Sequence, residues 1–331
     1  MVNVVITGGA GFLGARLARE LLTSDTITRL TLADRIPPPA DLAADPRVTA
    51  VTGDLVATLS SPEARERMLG GADTVFHLAA AVSGECEADF DLGLHANLRA
   101  TQDLFAACRE LGPADGGGEP PVVVYASSLA AFGSPDGYPP GAGVDDTTMP
   151  TPLTSYGAQK VMGEYLLADY TRRGFLRGRS LRLVTVSVRP GKPNAAASGF
   201  MSGIIREPLS GQRAACPVSP DTEVGLASPA KAIAGLLRAA ETSDEEWGGL
   251  TAVNLPALTV TVREMVAALS RVAGPEAAAL VDWVPDPAVA RIVKSWPARV
   301  TSARATRLGL EPDPDFDSIV REYLAGIRQA A

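Results

Sequence analysis

Val2-Asn-Val-Val-Ile-Thr7-Gly8-Gly9-Ala10-Gly11-Phe12-Leu13-Gly14 is the stretch that decides the fold. Val2 to Ile6 is a β-branched apolar run that stops at glycine, which is how a buried parallel strand reads. Phe12 to Leu22 then has helical spacing, with Leu13, Leu17, Leu21 and Leu22 on one side. Gly8, Gly11 and Gly14 recur at three-residue intervals between them. Glycine lets the backbone turn tightly and come close to a pyrophosphate, and the helix start supplies amide donors and a positive dipole end. Strand, glycines and helix in that order predict a dinucleotide site held by Gly8, Gly11, Phe12, Leu13 and Gly14.

Working outward, the alternation continues. Segments 30–33, 48–52, 74–78, 122–126 and 181–188 read as strands, and 90–109 and 154–171 as long helices. Strands alternating with helices predict an α/β fold, a Rossmann-type doubly wound parallel sheet. Polar groups sit just after strand after strand, the carboxyl edge where such sheets bind ligands. Asp34 ends the second strand, where a carboxylate accepts hydrogen bonds from the adenosine ribose and repels a 2′-phosphate. This favours NAD, although the guanidinium of Arg35 beside it is able to hold that phosphate. Asp54 and Leu55 follow the third strand, placed either to bracket the adenine or to make a simple turn.

Past residue 190, prolines and small residues break the pattern up to about 220. A helix returns at 228–241, a short strand is expected at 251–255, and helices at 261–272 and 316–329. This predicts a cofactor domain over 1–189, with 222–255 returning to it. Residues 190–221 and 256–331 are then a smaller, interleaved substrate lobe.

The chain has 331 residues, with 38 acidic and 30 basic side chains and a net charge of −8. No basic block appears, so neither a nucleic-acid surface nor an anionic membrane is expected as a partner. No apolar run approaches a membrane span, and nothing reads as a signal peptide. Cys86, Cys108 and Cys216 are scattered with no CxxC spacing. They support neither a zinc site nor a disulfide framework, and buried thiols fit a reducing cytoplasm. His77 reads as a packed strand-end residue and His95 as a helix-surface residue.

Tyr156-Gly-Ala-Gln-Lys160 carries the chemistry. Positions i and i+4 share a helix face. A phenol beside a fixed ammonium is a proton donor and acceptor, because the positive charge favours the phenolate. Next to a dinucleotide site, the pair implies hydride transfer at a carbon bearing a hydroxyl.

With these residues in hand, the chain resembles the extended short-chain dehydrogenase/reductase family. The resemblance rests on Gly8-x-x-Gly11-x-x-Gly14, Asp54-Leu55, His77-Leu78-Ala79-Ala80, Asn97, Ser127-Ser128, Tyr156-x-x-x-Lys160 and Arg189-Pro190-Gly191. It implies that Tyr156 is the acid/base, that Lys160 binds the nicotinamide ribose, and that Ser128 is the catalytic serine. It also implies that Leu78, Ala79, Ala80, Asn97 and Pro190 belong to the cofactor groove. Most extended members act on nucleotide-sugars as epimerases or dehydratases. Here 222–231 lacks their arginine, paired acids and aromatic, and Leu129-Ala130 replace the Asp-Glu pair of the dehydratases. Segment 187–211 and Ser83-Gly-Glu85 look instead like the D-erythronate dehydrogenase branch. That resemblance implies NAD-dependent oxidation of the 2-hydroxyl of a small sugar acid to the 2-oxo acid. Lys192, Asn194 and Arg206 are candidates to clamp the substrate carboxylate, and Ser83 and Glu85 to meet its hydroxyls; each also suits an ordinary surface role. A nucleotide-sugar epimerase or dehydratase is the alternative, and a non-catalytic NAD sensor a more distant one. The resemblance further implies a homodimer through the 90–109 and 154–171 helices, whose apolar faces would equally suit packing within one chain.

Overall fold

The computed structural model describes residues 2–112, 119–139, 141–191 and 197–330. The central sheet has strands β1 (Val2–Thr7), β2 (Ile27–Asp34), β3 (Val48–Thr52), β4 (Thr74–His77), β5 (Val122–Ser128), β6 (Arg177–Leu183) and β7 (Val253–Asn254). Their order is β7-β6-β5-β4-β1-β2-β3, with β1 in the middle. Pairs β1–β2, β1–β4, β2–β3 and β4–β5 are all parallel. The sequence order reverses between β1 and β4, and this switch point is where a doubly wound sheet opens a crevice. Val4, Val5 and Ile6 are all buried, so β1 is apolar on both faces, as a central parallel strand must be.

The chain forms two compact units. One comprises Met1–Ser127, Ser155–Leu181 and Gly235–Ala252; the other comprises Ser128–Thr154, Arg182–Ala234 and Val253–Ala331. The first holds a core around Val5, Val75, Phe105, Val123, Tyr125 and Leu167. Its return segment is fastened by Arg179, whose guanidinium lies 5.5 Å from the Trp247 ring. Arg179 Nη2 donates to Thr242 O at 3.2 Å and pairs with Asp244. The second unit has its own core around Val188, Ile204, Leu226, Met265 and Phe316. The division departs from a continuous 1–189 domain at 128–154, and the reason lies in pairing. Gly143 and Val144 form a parallel ladder with Arg299 and Val300, and Asp146 accepts from Ser302 Oγ at 2.5 Å.

Helices α1 (Phe12–Leu21), α2 (Leu55–Ser60), α3 (Pro62–Leu69), α4 (Ser83–Ala88), α5 (Phe90–Gly93), α6 (Ala100–Leu111) and α7 (Ser155–Arg172) belong to the first unit. The single helix expected at 90–109 is α5 and α6 joined through a π-helical turn, Leu94–Arg99. Such a turn inserts one residue into the helix and is found most often at functional sites. β6 starts before the expected strand because its arginines hide the apolar signal: Arg177 pairs with Glu119 and Asp244. Thr185–Val186 is a separate short strand in a three-stranded sheet with Glu223–Ala227 and Leu258–Thr261.

Helix α7 buries an unusual face of Gly157, Gln159, Lys160, Gly163, Glu164 and Leu167. Glycine at 163 lets α7 lie directly on β5: a Cβ there would meet Tyr125 Oη at 2.5 Å and Cζ at 2.7 Å. Gly163→Ala is therefore expected to overpack this contact and destabilise the protein by about 1–3 kcal/mol, read as a lower urea midpoint at unchanged m-value.

Candidate active site

The carboxyl ends of β1 to β4 open onto a cleft of about 1050 Å³ of empty space. Gly8 and Gly11 line it from the glycine loop, and Asp34 and Arg35 from the end of β2. Asp54 and Leu55 line it after β3, and Leu78, Ala79 and Ala80 after β4. Phe12, Leu13 and Gly14 stand one step back, where they shape the loop. A Cβ on Gly14 would sit 2.1 Å from Gly8 O. Gly8 has φ +74°, and a Cβ there would sit 2.8 Å from Ala79 N. Gly11 caps α1 without a side-chain acceptor, so the first amides of that helix stay available to a diphosphate. The cleft, bare helix start and Asp34 carboxylate fit a dinucleotide.

Asp34 is oriented by backbone donors: Ala10 N reaches Oδ2 at 3.0 Å and Arg35 N reaches Oδ1 at 2.6 Å. Asp54 does more than turn the chain. Its Oδ1 accepts from Ala57 N at 3.0 Å and caps α2, while Oδ2 meets His95 Nε2 at 3.0 Å. His95 is a half-exposed helix residue, as expected, and its contact with the cleft wall was not legible in the sequence. Ala81, Ala96 and Ala100 also line the cleft; as plain alanines they give no chemical signal.

Asn97 does not line the cleft. It is buried in the π-helical turn, where its Oδ1 accepts from Ala81 N at 2.7 Å. Its Nδ2 donates to Gln159 Oε1 at 2.8 Å and to Ala81 O at 3.2 Å. Asn97 thereby ties the loop after β4 to α7, and the wide π-turn gives its side chain that reach. His77 continues the same scaffold. Thr101 Oγ1 donates to Asn97 O at 2.6 Å, so its hydroxyl accepts from His77 Nε2 at 2.9 Å. His77 Nδ1 then accepts from Thr7 Oγ1 at 2.6 Å. A fully buried imidazole bonded in this way is neutral; burial, helped by the Lys160 charge, pushes its pKa down to about 3.

On α7, Lys160 Nζ donates to Ala126 O at 2.8 Å and lies 5.7 Å from the centre of the Tyr156 ring. Both side chains emerge on one helix face, as the spacing predicts. Burial pulls the Lys160 pKa down to about 8, opposed by the neighbouring acidic groups Cys86 and Glu164. The start of α7 is held by Glu87, whose Oε1 accepts from Ser155 N at 2.7 Å. Ser128 is the last residue of β5, and its Oγ accepts from Ala130 N at 3.2 Å. Glu85 lines the cleft, with its Oε2 accepting from Val82 N at 2.9 Å; Ser83 is half-buried at the start of α4.

Arg206 is not a free clamp. Its Nη1 donates to Arg189 O at 2.8 Å and its Nη2 to Glu207 Oε1 at 2.6 Å, which commits the guanidinium to packing. Pro190 follows Arg189 in irregular backbone. Lys192 and Asn194 lie outside the described residues. No group of three or more metal-binding side chains occurs among the described residues, and none of their helices is long and apolar enough to cross a membrane.

A profile described as the NAD dependent epimerase/dehydratase family matches residues 4–225. The chain belongs to that family. As a member of the epimerase/dehydratase family it is an NAD-dependent oxidoreductase. The chain is 49% identical to a D-erythronate dehydrogenase of Cupriavidus necator, over 98% of each chain. It is 38% identical to a D-erythronate dehydrogenase of Haemophilus influenzae, over 98% of this chain and 99% of that one. A crystal structure described as a nucleoside-diphosphate-sugar epimerase from Agrobacterium tumefaciens superposes with TM-score 0.87 at 39% identity, covering 98% of this chain and 94% of the other.

Gly14→Ala forces a Cβ onto the glycine loop. It is expected to weaken NAD binding at least tenfold or so, a loss of about 1.4 kcal/mol, as read by calorimetric titration of NAD into the protein.

Proposed function

We propose that this protein oxidises the C2 hydroxyl of a small sugar acid of the D-erythronate type to the 2-oxo acid. Near full-length identity to two D-erythronate dehydrogenases supports the substrate class. The observation that carries the chemistry is the buried ammonium of Lys160, 5.7 Å from the ring of Tyr156. NAD, when bound, accepts the hydride. Tyr156 takes the hydroxyl proton from the same carbon. The nearby positive charge favours the phenolate that does so. Ser128 Oγ, already accepting from Ala130 N, keeps its hydrogen to donate to the substrate oxygen as it becomes a carbonyl. Asp34 selects a free adenosine ribose through its two oxygens, each oriented by a backbone amide.

Lys192 and Asn194 are the remaining candidates for the substrate carboxylate, since Arg206 is engaged elsewhere. Similarity to the Agrobacterium epimerase supports a second reading, internal redox of a nucleotide-sugar with no net turnover of NAD. Incubation with NAD and D-erythronate separates the two. Accumulation of NADH, followed by its near-ultraviolet absorbance, is expected; conversion of a UDP-sugar without NADH would favour the epimerase. Tyr156→Phe is expected to keep NAD affinity and lower kcat by roughly 10²-fold or more; wild-type turnover in that variant removes Tyr156 from the mechanism.

The same unit supports a homodimer. Phe90 at the start of α5 and Met162 and Tyr165 on α7 are large apolar side chains left exposed, and Met162 and Tyr165 share a helix face. Tyr165→Asp is expected to convert a dimer to a monomer in light scattering. A wild-type protein that already elutes as a monomer would end this reading.

A further inference from the structure

Glu164 lies one helical turn beyond Lys160 and is buried, yet no step of the proposed chemistry uses it. Its Oε1 accepts a short hydrogen bond from Ser127 Oγ. Lys160 Nζ, on the same face of α7, donates to Ala126 O at 2.8 Å. Two consecutive residues at the carboxyl end of β5 are thus gripped by side chains at i and i+4 of one helix. Ser128, the next residue, continues that strand end.

We propose that Glu164 is a positioning residue, clasping the end of β5 through Ser127 and supplying the counter-charge for the Lys160 ammonium. The inference rests on the assignment of Tyr156 and Lys160 above and adds a residue that sets their working range. A buried carboxylate is costly unless it is bonded and faces a cation, and here it has both a hydroxyl donor and a lysine one turn away. The charged and titratable groups facing Lys160 are Cys86 from α4, His77 from β4, Tyr125 from β5, and Tyr156 and Glu164 from α7 itself. His77 is neutral in its hydrogen-bond chain, and burial raises the Cys86 and Tyr125 pKa values, so both are protonated near neutrality. Glu164 is the carboxylic side chain among them, one turn from the ammonium on the same buried face of α7.

The sign follows. Burial disfavours the ammonium and a carboxylate restores it. Neutralising Glu164 lets Lys160 lose its proton at lower pH. The alkaline fall of kcat, where the ammonium beside Tyr156 is lost, moves down with it.

The test is a pH titration of apoprotein labelled with ¹³C at lysine Cε, followed by NMR. The Lys160 signal is the one lost in Lys160→Arg, which separates it from Lys192, Lys231 and Lys294. Glu164→Gln keeps an oxygen for Ser127 and removes only the charge. It is expected to lower the Lys160 midpoint by about one pH unit and to shift the alkaline limb of the kcat profile by the same amount. Ser127→Ala is expected to leave the midpoint in place and lower kcat several-fold. A folded Glu164→Gln protein with the parent midpoint overturns the counter-charge, and parent kcat in Ser127→Ala overturns the clasp. Should Glu164→Gln not fold, Glu164→Asp takes its place, with a partial downward shift expected and an unmoved midpoint equally fatal. The apoprotein titration is independent of turnover. Full activity in Tyr156→Phe would thus sink the base assignment without deciding the role of Glu164.

Discussion

An ammonium held inside a protein core constrains everything around it. Lys160 has lost nearly all its water, and an isolated buried charge of this kind costs several kcal/mol or more. The protein meets that cost with a carbonyl at the end of β5, two aromatic rings and a carboxylate one turn away. Each compensation fixes a piece of geometry. The carbonyl ties α7 to β5, the close approach needs glycine at 163, and the polar face leaves α7 without an apolar stripe.

A second layer locks the loops of the cofactor cleft to the same helix. Ala81 is held by Asn97, Asn97 by Gln159, and Gln159 is the neighbour of Lys160 in sequence. The chain Ala79 N, Thr7 Oγ1, His77, Thr101 Oγ1, Asn97 O runs through the core beneath β1 and β4. Thr7, Ala79 and Ala81 line the cleft, and His77, Asn97, Thr101 and Gln159 are not among its lining residues. They link the loops around the cleft to the helix that carries Tyr156 and Lys160.

What could be read from residues alone follows from how directly each encodes its role. β1, β3 and β4 stand where β-branched runs end at glycine or histidine, and the glycine loop and the Tyr156–Lys160 face are set by spacing. β6 was blurred because Arg177, Arg179 and Arg182 interrupt its apolar pattern. Helices α2 and α3 went unread because Pro62-Glu-Ala-Arg-Glu-Arg carries no continuous apolar stripe; what marks them is their caps, Asp54 and Ser61. The π-helical turn has no signature in period, since one inserted residue does not disturb the average spacing of a helix. The family resemblance puts Asn97 in the cofactor groove and the chemistry of its side chain suggests Arg206 as a carboxylate clamp, whereas the structure spends their polar atoms on backbone and neighbouring side chains. The roles of Glu87 and Glu164, and the bond Ser127 makes to Glu164, leave no sign in the sequence because nothing in their spacing separates a buried clasp from a solvated surface group.

The return of Gly235–Ala252 to the first unit has a consequence for synthesis. Arg179 waits on Trp247 and Asp244, and until they emerge from the ribosome its guanidinium lacks its ring and carboxylate partners. The first unit, although its strands are encoded first, is then completed only after more than two thirds of the chain has been translated, and neither unit can be excised or exchanged between relatives as one continuous piece of gene.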